Sequence, residues 1–152
     1  MSRAHIDWKS EYALGVEDID FQHHFFLDLV NRLADELEVG ADLAYQTALI
    51  SELNAYARFH FISEENMMLH AGYPELNDHH RHHAELLSAL AIKEGELEMG
   101  RSDETVSSII DFLVNWFMNH TTLEDRRFAE YLLTRARASG SSPRNGESAG
   151  ND

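Results

Sequence analysis

The sequence predicts an all-α protein: an up-down-up-down bundle of four antiparallel helices, with an extended N-terminal arm and a short C-terminal helix. Three observations carry that expectation. Apolar residues recur at close to 3.6-residue spacing through four long segments. Short breaks with Gly or Pro separate the segments, as at Gly72-Tyr73-Pro74. No strand pattern of alternating residues survives beside the helical ones. The chain of 152 residues suffices for one sizeable core. The expected division is an arm over 1–18, a bundle over 19–136 and a disordered tail over 137–152.

Residues 1–18 lack sustained helical periodicity and contain Gly15, so they read as an arm pinned by Ile6, Trp8, Tyr12 and Leu14. The first helix spans about 18–39, before Gly40, with Ile19, Phe26, Leu27, Val30, Leu33, Ala34 and Leu37 as its apolar stripe. His23 lies on that stripe, whereas His24 points about 100° away. Asp42 is placed to cap a second helix that runs to about residue 70. Leu49, Ile50, Leu53, Ala57, His60, Phe61, Glu64, Met67 and Met68 make its inner face, and Glu65 falls off that face.

Gly72 and Pro74 stop the second helix. A third, over about 75–99, turns Leu76, His79, His83, Leu86, Leu87 and Leu90 inward, leaving His82 outside and His80 at the edge. Ser102 with Thr105 suits a helix start, and Asp103 and Glu104 suit its positive end. The fourth helix carries Val106, Ile109, Ile110, Leu113, Trp116, Phe117 and His120 on one face. A short fifth piece has Phe128, Tyr131 and Leu132 to bury, and the polar run SGSSPRNGESAGND follows from 139.

Composition narrows the function. The formal charge of -15, from 12 basic against 27 acidic residues, argues against nucleic acid, which needs Lys/Arg patches. Cys is absent, so disulfides and thiolate metal sites are excluded. No signal-like apolar run opens the chain and no 18-residue apolar span occurs, so a cytoplasmic protein with no membrane association is expected.

The ten histidines are the anomaly. His60 and Glu64 stand four apart, as do His79 and His83, a spacing that puts each pair on one helix face. Stripe phase turns His23, His60, His79, His83 and His120 inward together with Glu64. Burying that many polar groups without partners costs a few kcal/mol each, so the cluster reads as a metal site, with iron, manganese or zinc all open on residue type alone. His5, His24, His70, His80 and His82 are expected to face solvent, and Met67 with Met68 to pack in the core.

Four stretches, taken in order, carry a family resemblance: GVEDIDFQH ending at His23, HFISEE from His60, YPELNDHHRHH containing His79 and His83, and WFMNHTTLED from Trp116 to Asp125. With them the chain resembles the hemerythrins, specifically the single-domain bacteriohemerythrins. The resemblance implies an oxo- or hydroxo-bridged centre of two iron ions. His79, His83 and His120 would hold one ion, His23 and His60 the other, and Glu64 and Asp125 would bridge them. Asp125 is not the residue a helical wheel selects: it lies about 140° from the face of His120, whereas Glu124 is in phase. Using Asp125 requires the helix to kink or end near Thr121-Thr122.

By the same resemblance the two-histidine iron keeps an open position where dioxygen binds reversibly, for storage, delivery or sensing. The pocket would be lined by Phe26, Phe61, Trp116, Phe117 and Thr121. Phe26 and Phe117 stand where the family usually has leucine, and Thr121 where it has isoleucine, which suggests a narrower pocket and an altered autoxidation rate. The expectation is a monomeric binding protein and not an enzyme. The alternatives are a di-iron enzyme acting on peroxide or nitric oxide, and an oxygen- or redox-sensing module that signals through a separate partner.

Overall fold

A computed structural model describes residues 6–40 and 42–141, except for the side chains of 117, 118, 121, 122 and 139–141. Helices α1 (Glu17–Val39), α2 (Leu43–Ala71), α3 (Leu76–Met99) and α4 (Asp103–Trp116) follow one another, then a π-helical segment (Phe117–Asp125) and α5 (Arg126–Ser141). Helix α1 packs on α2, α2 on α3, α3 on α4, and α4 closes the ring against α1. The architecture is the expected all-α bundle.

Local chemistry sets the helix ends. The Asp42 carboxylate accepts the Tyr45 N–H at 3.1 Å and caps α2. Gly72 ends α2 in the left-handed region, φ 69°, and Tyr73 N–H then reaches back to the Met68 carbonyl at 2.9 Å. Ser102 Oγ accepts the Thr105 N–H at 3.1 Å at the start of α4. The arm lies where Ile6, Trp8, Tyr12 and Leu14 are expected to hold it. Ile6 exchanges two hydrogen bonds with the Asn31 side chain, Trp8 stacks on His24 at 3.6 Å, and Tyr12 and Leu14 are buried. It also contains one 3₁₀ turn, Ser10–Tyr12.

The C-terminal third differs from expectation. In place of a kink or an end near Thr121, the rod continues from α4 through nine residues of π-helix into α5. Helix α5 reaches Ser141, past the expected start of the tail at 137; residues 142–152 lie outside the described residues. No helix among the described residues is long and apolar enough to cross a membrane.

Two apolar clusters fill the bundle. The larger contains Phe26, Leu33, Leu37, Leu53, Phe61, Leu97, Ile109 and Trp116. The smaller contains Leu14, Ile19, Met68, Tyr73 and Phe128. His23 lies between Ile19 and Phe26 on α1, Glu64 between Phe61 and Met68 on α2, and His120 and Asp125 between Trp116 and Phe128. The buried polar residues therefore occupy one layer sandwiched between the two clusters.

Candidate metal centre

His23, His60, Glu64, His79, His83, His120 and Asp125 are each at most 4% exposed. Helical phase on α1, α2 and α3 brings the first five inward. Asp125 joins them through the π segment, whose i→i+5 bonding widens each turn and turns residues five apart toward a common side. The family spacing of His120 and Asp125 is thus met by continuous helix and not by a break. Glu124, the in-phase choice, is only half-buried.

The two carboxylates divide the imidazoles into two sets. Asp125 Oδ2 lies 2.8 Å from His23 Nε2 and 3.9 Å from His60 Nε2, and its Oδ1 lies 3.1 Å from His120 Nε2 and 3.6 Å from His79 Nε2. Glu64 repeats the pattern: Oε2 is 3.7 Å from His60, and Oε1 is 3.3 Å from His83 and 3.8 Å from His79. Each carboxylate therefore turns one oxygen to a two-histidine side and the other to a three-histidine side. Ligand atoms of His23, His60, Glu64 and Asp125 converge within 4.8 Å of one another, as do those of Glu64, His79, His83 and Asp125.

The donor set fits a pair of cations. Both oxygens of Glu64, both of Asp125 and His79 Nε2 are buried without an aligned hydrogen-bond donor or acceptor. So many orphaned polar atoms in one layer are destabilising unless positive charge fills the space between them.

A family model described as the hemerythrin HHE cation binding domain matches residues 14–132. The chain belongs to the hemerythrin family. Among curated relatives, the bacteriohemerythrin of Clostridium acetobutylicum is 28% identical over 130 residues, covering 81% of this chain and 98% of that protein. That of Stenotrophomonas maltophilia is 27% identical over 125 residues, covering 82% and 80%. The bacteriohemerythrin of Methylococcus capsulatus is 27% identical over 125 residues, covering 81% and 92%.

Electrostatics in this hemerythrin layer follow from burial. Burial pushes the imidazole of His60 down to about 4. Burial, with the neighbouring His120 charge, takes His83 to about 2. Both imidazoles are therefore neutral, the form that ligates metal. Burial and then the Asp125 charge hold Glu64 well above the usual carboxylate range. Asp125 is also raised by burial, but the charge of His120 and the close approach of the His120, His23 and His60 imidazoles outweigh it and hold it well below. The two candidates are thus shifted in opposite directions, Glu64 toward the protonated form and Asp125 toward the carboxylate.

Two residues that hydrophobic phase does not single out complete the hemerythrin site. The Gln22 side-chain oxygen lies 2.7 Å from His60 Nδ1, and Gln22 Nε2 donates to Ser63 Oγ at 3.0 Å. Glu65 Oε2 lies 2.9 Å from His83 Nδ1, while its Oε1 takes His80 Nδ1 at 2.5 Å. Glu65, off the inner face of α2 as expected, is thus half-buried against a candidate ligand. The only sequence signal for either residue is adjacency, Gln22 to His23 and Glu65 to Glu64. His80 is exposed as expected, as are His24 and His70. His82 is not: it is half-buried and stacks on His120 at 5.2 Å, because α3 sits close to the π segment. His5 lies outside the described residues.

Of the expected pocket residues, Phe26, Phe61 and Trp116 are buried and line an apolar cavity of about 10 Å³ with Ala57, Leu90 and Leu113. Phe26 meets Trp116 at 4.3 Å. Phe61 lies flat on His83 at 4.0 Å and farther from His60, at 5.6 Å. Trp116 stacks on His120 at 5.6 Å. These two rings therefore back the three-histidine side directly. The side chains of Phe117 and Thr121 lie outside those described.

Proposed function

We propose that this chain binds dioxygen reversibly at a pair of iron ions, for storage, delivery or sensing. The two-sided arrangement of Glu64 and Asp125 between three and two imidazoles is the observation that carries the reading. His79, His83 and His120 would hold one ion and His23 and His60 the other, with Glu64 and Asp125 shared between them. When bound, such a pair would supply the two electrons that holding dioxygen requires.

The remaining work falls to the chain's own side chains. Imidazole ligands add no negative charge, in contrast to the carboxylate-rich sites of ferritin-like proteins, and this favours holding oxygen over activating it. Phe61 and Trp116 pack on His83 and His120 and lower the local dielectric on the three-histidine side of the layer. By the family resemblance Phe117 and Thr121 would belong to the pocket wall, with Thr121 bringing a hydroxyl to it.

Anaerobic loading with iron(II) followed by exposure to air tests the proposal. A stable charge-transfer spectrum that is lost under argon and restored by oxygen is expected. Turnover of peroxide or nitric oxide with no stable oxygenated form would assign the site to a di-iron enzyme instead.

A further inference from the structure

The two sides of the candidate centre are backed by different chemistry. Behind His60, on the two-histidine side, stands the neutral side-chain amide of Gln22, held by Ser63 at 3.0 Å, while the Tyr56 hydroxyl donates to the Gln22 backbone carbonyl at 3.0 Å. Behind His83, on the three-histidine side, stands the Glu65 carboxylate, whose second oxygen is held by His80. Both acceptors take the Nδ1 proton, leaving the Nε2 lone pair facing Glu64 and Asp125. Only one of them also brings a negative charge. Phe61, parallel to His83 within 7°, fixes the ring plane through which that charge acts.

Building on the metal-centre reading above, we propose that Gln22 and Glu65 are positioning residues that make the two metal positions unequal. The carboxylate of Glu65 polarises the Nδ1–H of His83 and makes its Nε2 a stronger donor, so the three-histidine position binds its ion more tightly. Gln22 sets the tautomer of His60 without adding charge. Its ion is held more weakly and remains the better electron-pair acceptor, as the ion with the open position needs to be. The asymmetry therefore comes from the residues behind the imidazoles as well as from their number.

The test swaps the two acceptors isosterically in the full chain and titrates the metal-free protein with cobalt(II) under anaerobic conditions, following the cobalt absorption bands. The wild type takes up two ions in two resolved steps. Glu65→Gln weakens the tighter step by roughly 10- to 100-fold and leaves the looser step unchanged. Gln22→Glu tightens the looser step by about tenfold, and the double variant narrows or inverts the gap. Circular dichroism and melting of the metal-free variants match the wild type. Unchanged steps in Glu65→Gln overturn the proposal while leaving the metal centre intact, and so does a parallel weakening of both steps. A wild type that binds fewer than two ions overturns both readings.

Discussion

The larger apolar cluster and the polar layer beside it are built on the same helices and buried to the same degree, yet they are held together differently. Leu33, Leu37, Leu53 and Leu97 are 0% exposed and belong to the apolar cluster. That packing stabilises the bundle whatever the solution contains. Glu64 and Asp125, 1% and 0% exposed, leave their oxygens without aligned partners. One region supplies stability and the other consumes it. Such a layer persists because a ligand repays it, so the two regions should respond oppositely to mutation, acid and metal.

The largest contrast is expected at Glu64. Glu64→Ala removes an oxygen from each side of the layer, and metal affinity should fall by at least about 100-fold. The metal-free bundle should become more stable by denaturant melting, because an orphaned buried acid is gone. Leu53→Ala should do the reverse. It should lower the unfolding free energy by about 2–5 kcal/mol through transfer and cavity terms, while metal uptake by the folded chain stays unchanged.

Acid separates the regions next. His60 and His83 are lowered to about 4 and about 2 in the folded chain from an unfolded value of 6.5. Between pH 6.5 and 4 the unfolded state therefore binds two protons that the folded state does not. Glu64, raised in the folded state, opposes this by at most one proton. The net sign is loss of metal-free stability as pH falls through that window, on the order of a few kcal/mol. Urea melts at pH 7 and pH 4.5 check it, and equal stability at the two would contradict neutral buried histidines.

Smaller effects sharpen the contrast. Asp42→Ala removes a helix cap far from the polar layer and should cost about 1 kcal/mol without altering metal uptake. Thr121→Ile should slow autoxidation of the oxygenated protein a few-fold if its hydroxyl tunes the pocket, with no change in stability. An unchanged decay rate removes Thr121 from the account.

How legible these regions are in the sequence also differs. The apolar stripes follow a 3.6-residue period, so Leu33, Leu53 and Ile109 are readable, and so are His60, Glu64, His79 and His83, whose four-residue spacings obey the same period. Asp125 is not readable that way. Its approach depends on nine residues of π-helix, a local change of pitch that apolar periodicity does not encode, and only family resemblance points to it. Gln22 and Glu65 escape for another reason. They sit on the flanks of α1 and α2, and their roles depend on the lateral distance to a neighbouring helix, which no single-helix pattern contains. His82, outside the stripe of α3 by phase, stacks on His120 for the same reason.

The central claim, that Asp125 and Glu64 span two cation positions, is tested most directly by counting iron. Purified chain is loaded anaerobically with iron(II), passed through a desalting column and measured for iron per chain, alongside Asp125→Ala. Two ions in the wild type and at most one in the variant are predicted. One ion or none in the wild type, or two retained without Asp125, would contradict the two-sided site.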